Sequence, residues 1–416
     1  MKKTLKLSLL SLFVAITSYG QITTSSVSGV VKDEKGSSIS NASITLVHQP
    51  TGTEYSATSN KSGNYQIPGI KPGGPYVLKI THVGYKNEEV KDISTSLGVT
   101  SNVDVLLINE TQTLQSVVVV SGKDGIFSKD RTGAAQQFGR RQLQTIPITG
   151  ARTIDGITKY NPFGNGTSFG GQDSRLNNFT IDGSQFNNGF GLGSSAQAGG
   201  RTGGSAISLD AIDQLQVNIA PFDVRQSGFV GAGINAVTRS GTNEVEGSVY
   251  GTTRNNSSTY LGTKAKDVTI TPSTFDEKVW GFRLGAPIIK NKLFIFGNYE
   301  SVERTEPGTN WVSDGSPLPG SQISRVKYQD MLTLSNFMRD KFGYETGAWE
   351  GYDNANTSKK FLVRVDYNLG KKHKLTARYV NHNSSAEINI SNSQSAGAGN
   401  RTTQFNAMSF KNSGYI

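Results

Sequence analysis

A chain of 416 residues exceeds one ordinary domain and predicts two or three. Only 35% of it is hydrophobic while 48 residues are glycine, a balance that favours strands, turns and extended loops over helical bundles. No cysteine is present, which excludes a disulfide framework and a thiolate metal site. The formal charge of +10 is scattered singly, with no basic run interleaved with aromatics, which argues against a nucleic-acid partner.

Residues 1–20 read as a secretory signal. Lys2, Lys3 and Lys6 make a positive start, "LLSLFVAI" a short apolar core, and Ser18 and Gly20 the small residues before a cut. That core is shorter than the ~20 residues a spanning helix needs. No other apolar run reaches that length, so any membrane insertion is expected through strands.

Residues 24–109 predict a β-sandwich of five to seven short strands separated by turn chemistry at "DEKG", "PTG" and "NKSGN". In "ASITLVHQ", Ile44 and Leu46 alternate with Thr45 and Val47. The segment, most specifically "SGNYQIPGIKPGGPY", resembles the carboxypeptidase regulatory-like domain, a transthyretin-like sandwich. Peptidase chemistry is not expected from it. A zinc peptidase needs His and Glu ligands with a general base, and His48, His82, His373 and His382 are not paired at ligand spacing. Related sandwiches often bind glycans, which makes Tyr65, Tyr76 and Tyr85 candidates for stacking or, alternatively, core residues.

The linker 110–126 contains four consecutive β-branched residues, Val117, Val118, Val119 and Val120. They read either as a buried strand or as an extended peptide that adds an edge strand to a partner. Residues 127–245 are dense in Gly, Asn, Gln and Ser, with a helical piece at 153–159, a strand around "RLNNFTI", a helix-like start at "ISLDAIDQ", and strands at 215–219 and 230–238. Asp182-Gly183 is a strong turn signal, and Gly231 and Gly233 allow close backbone approach.

"DSRLNNFTIDG", "LDAIDQLQV" and "GFVGAGINAVTRSGTN" together resemble the plug domain of TonB-dependent outer-membrane receptors, particularly the Oar-like group. The order of signal, sandwich, short apolar peptide and plug matches that group over residues 1 to 245. The resemblance implies that 117–120 is the TonB box, which pairs with TonB and its inner-membrane energising complex. It also implies a plug motif of Arg175, Asn178, Asp182, Gly183, Gly231 and Gly233, and a ligand-facing loop bearing Phe186, Asn187, Asn188 and Phe190. Asp173, Asn177, Asn178 and Asp182 have oxygen donors but lack the carboxylate pattern of a calcium loop, so no metal, cofactor or catalytic residue is expected.

Residues 246–416 alternate apolar and polar side chains in longer segments. Trp280, Phe282, Leu284 and Ala286 share one face, as do Phe361, Val363, Val365, Tyr367 and Leu369, with Arg283, Arg364 and Asp366 opposite. A membrane barrel needs this pattern, apolar toward lipid and polar toward the lumen. The turn at 290–292 is expected on the periplasmic side, and the polar stretch 303–358 reads as a long extracellular loop. About six strands are countable, against about 22 in plugged transporters, so the chain reads as a fragment or truncated product. The fold class is therefore mostly β: a transthyretin-like sandwich, an α+β plug and the first strands of an antiparallel transmembrane barrel. The expected function is energised movement of an unidentified ligand (siderophore, glycan or peptide) across the outer membrane. The alternative is a secreted glycan-binding or adhesion protein.

Overall fold

The computed structural model describes residues 23–110, 134–147, 153–189, 193–221, 226–255, 264–265, 268–269, 274–309, 311–319, 322–370, 373–387 and 411. Residues 1–20, read above as a leader, and Val117, Val118, Val119, Val120 and Phe190 lie outside them. The chain divides into two compact units, one formed by 1–248, 282–299 and 360–381, the other by 249–281, 300–359 and 382–416.

The first unit begins with eight strands: β1 Ser25–Asp33, β2 Ser43–His48, β3 Thr53–Thr58, β4 Asn64–Ile70, β5 Gly73–Thr81, β6 Glu88–Thr95, β7 Thr100–Asn102 and β8 Val105–Leu107. They form two sheets, β4-β1-β7 with β8 also on β1, and β3-β2-β5-β6. Alternation drives the packing. Val27 and Val31 of β1, Ile44 and Leu46 of β2 and Leu78 and Ile80 of β5 are fully buried between the sheets. Each such side chain is worth about 1.5–3 kcal/mol of burial. Gly29 is obligatory at its place in β1, because a Cβ there would lie 1.9 Å from the Val103 carbonyl oxygen. The "DEKG" turn closes as its chemistry requires, with the Asp33 carboxylate accepting from the amides of Lys35 and Ser37.

The segment that resembles a plug, called the plug below for that resemblance, follows with β9 Ala134–Gly139, β10 Gly164–Asn165, β11 Ser168–Phe169, β12 Asn178–Ile181, β13 Ser184–Gln185, β14 Ile212–Ile219 and β15 Ala232–Thr238. The main sheet has the order β13-β12-β15-β14-β9, with β12 and β15 parallel and the other pairs antiparallel. The helix predicted at 153–159 is Ile154–Thr158, started by the Thr153 hydroxyl, which accepts from the Gly156 amide. The helix-like start at "ISLDAIDQ" is a single 3-10 turn, Leu209–Ala211. The strand expected around Leu176 begins later than the sequence suggests. Ser174–Leu176 is another 3-10 turn, and Leu176 is exposed while Phe179 and Ile181 enter the core.

Strand β14 is buried on both faces. Ile212, Leu215 and Val217 meet the plug core. On the opposite face, Gln214 and Gln216 donate to the backbone carbonyls of Thr95 and Leu97 in the sandwich, both at 3.1 Å. A buried amide face needs such partners, and the sandwich provides them.

The remaining strands are β16 Glu246–Asn255, β17 Lys264–Ala265, β18 Val268–Thr269, β19 Asp276–Ile289, β20 Leu293–Pro307, β21 Trp311–Asp314, β22 Gln322–Lys327, β23 Asp353–Leu369 and β24 His373–Ala386. Five long strands make one sheet in the order β16-β19-β20-β23-β24. The turn predicted at 290–292 joins β19 to β20, with Asn291 at φ 61°. Within the first unit, Phe282, Leu284, Phe361, Leu369, Leu375 and Tyr379 are all exposed, whereas Phe296, Leu362 and Arg364 are buried. Phe296 and Leu362 join the plug's own hydrophobic core. The inner faces of β20 and β23 thus lie on the plug, and the apolar faces of β19, β23 and β24 point outward.

The second unit corrects the reading of 303–358 as one polar loop. β20 continues through Pro307, and a 15-residue helix, Tyr328–Phe342, stops at Gly343, whose left-handed φ of 64° glycine adopts without strain. The Glu350 carboxylate accepts from the Ser313 amide at 2.6 Å and its hydroxyl at 2.7 Å, tying the segment together. The alternating segment "TTQFNAMSFKN", the last of the six strands counted from the sequence, lies outside the described residues except for Lys411.

Candidate functional site

Asp182 follows β12, and with Gly183 it turns the chain through two left-handed residues, φ 43° and 78°. Its amide donates to the Ala236 carbonyl at 2.8 Å, which fixes the turn against β15. The carboxylate then accepts from the Thr238 amide at 2.8 Å and the Thr238 hydroxyl at 2.5 Å. Two arginines from the long strands complete it. Arg364 of β23 approaches at 3.4 Å and Arg378 of β24 makes a closer pair. Arg364 also donates to the Thr238 carbonyl at 3.0 Å and its hydroxyl at 2.9 Å, and its other edge grips Asp366 at 2.8 Å. One plug turn is therefore held to two strands by a largely buried, multiply hydrogen-bonded ion cluster. Removing one member of such a cluster costs about 3–5 kcal/mol.

A second contact of the same kind lies at Asp210, which pairs with Arg283 of β19 at 3.1 Å and accepts from the Ser248 hydroxyl at 2.9 Å. Behind it, Asp213 pairs with Arg140 at 2.8 Å. Burial by itself would raise the Asp213 carboxyl, but Arg140 and Lys71 hold it below the ordinary carboxylate value. Burial and the neighbouring Arg283 lower Arg239 to about 10; its Nε donates to the Ile212 carbonyl at 3.1 Å.

The structure places Asn178 and Gly233 in one sheet, with Asp182, Gly183 and Gly231 at the ends of its strands. Asn178 donates to the Ser227 carbonyl at 3.1 Å and accepts from Asn187 at 2.8 Å. A Cβ at Gly231 would lie 2.3 Å from Asn177 Oδ1, and one at Gly233 3.0 Å from the Phe229 ring. Arg175 stands apart from these, exposed and forked onto Asp173 at 2.9 Å. In the loop after β13, Phe186 packs against the plug core and Asn187 accepts from the Phe179 amide at 2.7 Å. Asn188 is half-buried, its amide donating to the Ala196 carbonyl. Sequence reasoning missed Thr238, Arg364 and Arg378 as members of this site. The one available signal was an arginine on the polar side of each predicted strand.

The sandwich shows where its aromatic residues are spent. Tyr76 is fully buried, and Tyr65 is buried with its hydroxyl donating to the Val103 carbonyl at 2.6 Å. These two are core residues, and neither offers a stacking surface to a sugar. His48 lies against Tyr76, ring centroids 4.8 Å apart, with Nδ1 2.7 Å from the Thr51 hydroxyl. Burial, reinforced by Lys71, lowers its pKa from 6.5 to about 3, so the imidazole is neutral.

Residues 26–108 match the carboxypeptidase regulatory-like domain, and residues 237–319 match an outer membrane beta barrel domain. The TonB-dependent transporter Oar of Myxococcus xanthus is 25% identical over 262 residues, covering 59% of this chain and 24% of that protein. The TonB-dependent receptor SusC of Bacteroides thetaiotaomicron is 27% identical over 154 residues, 37% of this chain and 14% of that protein. The chain thus spans a quarter or less of the length of these relatives. The outer membrane transporter YddB of Escherichia coli superposes with a TM-score of 0.41 at 13% identity, over 61% of this chain and 33% of that one. The domain matches and the two sequence relatives assign the chain to the outer membrane. Together they make the chain similar to TonB-dependent transporters and receptors over its sandwich and the start of its long strands.

Proposed function

We propose that this chain works in TonB-dependent movement of a ligand across the outer membrane, with its plug latched to the barrel wall through Asp182. The observation that carries this reading is the inversion of faces on β19, β23 and β24. Their apolar sides point outward and their charged sides grip the plug at Asp182 and Asp210. A soluble half-buried sheet would bury its apolar side instead. Energy from TonB, applied through the peptide 117–120, would act on the plug and so on these ion clusters. No bond-making step is part of the reading, and both sequence relatives are named as a transporter and a receptor. Ligand class, whether siderophore, glycan or peptide, is a separate matter of the loops.

Deleting residues 117–120 tests the partner directly. The periplasmic domain of TonB, purified separately, is expected to bind the full chain and to lose that binding in the deletion. Equal capture of both forms contradicts the assignment of this peptide as the TonB box.

A further inference from the structure

Beside the Asp182 latch, an open-mouthed cavity of about 480 Å³ is lined by sandwich, plug and the ends of β23 and β24. Its charges do not balance. Lys71, Arg364, Lys374 and Arg378 line it against only Asp182 and Asp366, four cations to two carboxylates. Both carboxylates are already taken by the two arginines. The two lysines have neutral partners: Lys71 donates to the Ser240 hydroxyl, and the Lys374 ammonium stands 3.0 Å from the centroid of the Tyr55 ring. Neither lysine forms an ion pair among the described residues. Positive charge in excess of the lining carboxylates is costly where it is drawn partly out of water, as at Lys71. Burial, together with Arg364, holds the Lys71 ammonium below its ordinary value, as such strain requires.

We infer that this cavity is an anion site for a phosphate group, carried either as free phosphate or on a small monoester. Three features select that chemistry. The excess of two positive charges is cancelled by one dianion, whereas a monocarboxylate cancels half of it. The hydroxyls of Ser184 and Ser240 stand among the cations, the mixture of Lys, Arg and O–H donors that phosphate oxygens accept. The volume falls within the range of small-ligand sites and exceeds what inorganic phosphate alone fills. A phosphate here competes with Asp182 for Arg378, so occupancy weakens the latch.

Isothermal titration of the purified full chain in detergent tests the site, with inorganic phosphate and glycerol 1-phosphate as probes. At about 0.15 M sodium chloride, loose surface binding is screened. Saturable one-to-one binding of at least one probe is expected, and the tighter of the two identifies free phosphate or ester. Affinity should fall at least tenfold in Lys71→Met and in Lys374→Met, the second altering an exposed ammonium and leaving the fold intact. Lys79→Met, remote and paired with Glu89, should bind as the parent does. Absence of saturation with both probes, or undiminished affinity in Lys374→Met, overturns the inference.

Discussion

Replacing the Asp182 carboxylate by an amide leaves Arg364 and Arg378 facing Thr238 with their shared counter-charge gone. Both guanidiniums are largely withdrawn from water, their side chains 8% and 15% exposed. Asp182→Asn should therefore destabilise the plug against its strands by about 3–5 kcal/mol, read as a lower urea midpoint and faster proteolysis of the plug. An unchanged midpoint would mean that the cluster is decorative. His48 behaves differently because its burial favours the neutral form. Its folded pKa of about 3 lies below the unfolded 6.5. The unfolded chain thus binds the extra proton, and stability present above pH 6.5 is lost as pH falls toward 3. By pH 5 the loss amounts to about 2 kcal/mol. His48→Phe keeps a ring on Tyr76 and should flatten the melting temperature of the sandwich between pH 7 and pH 5. A parent protein with equal melting temperatures at both values would refute the assignment.

Elements with strict periodicity were legible. The alternation in β23 and β24 names the faces correctly, because a period of two leaves no third choice. The sandwich strands were equally visible through Ile44, Leu46, Ile67 and the Gly turns between them, although the three-residue strand β7 escaped notice. The helix Tyr328–Phe342 was hidden because it buries only Met331 and leaves Leu334, Phe337 and Phe342 exposed, so its apolar residues mark no buried stripe. In the plug, Gly231 reads from sequence as a close-approach position, and the structure identifies the neighbour. Asn177 Oδ1 accepts from the Ala232 amide at 2.9 Å while its amide donates to the Thr167 carbonyl at 2.8 Å. Gly231→Ala must push that side chain aside and break one of these bonds, at a cost of about 1–3 kcal/mol. Thermal melting of the plug checks this, and a shift smaller than the error of the measurement would show that Asn177 yields without penalty.

At the scale of the whole molecule, partner choice was the illegible part. Arg364 and Asp182 are 182 residues apart in the chain, and no local pattern distinguishes an arginine facing a watery lumen from one gripping a plug. Periodicity fixes which side a residue is on; only the packing of β20 and β23 against the plug core shows what fills that side. The central claim is that the outward face of these strands meets lipid. Because the chain has no cysteine, single cysteines at 361, 362, 363, 364 and 365 can be labelled one by one in outer-membrane preparations. The account predicts that 361, 363 and 365 react with a lipid-soluble maleimide and resist a charged one, while 362 and 364 resist both. Rapid labelling of 361, 363 and 365 by the charged reagent would place that face in water and contradict the account.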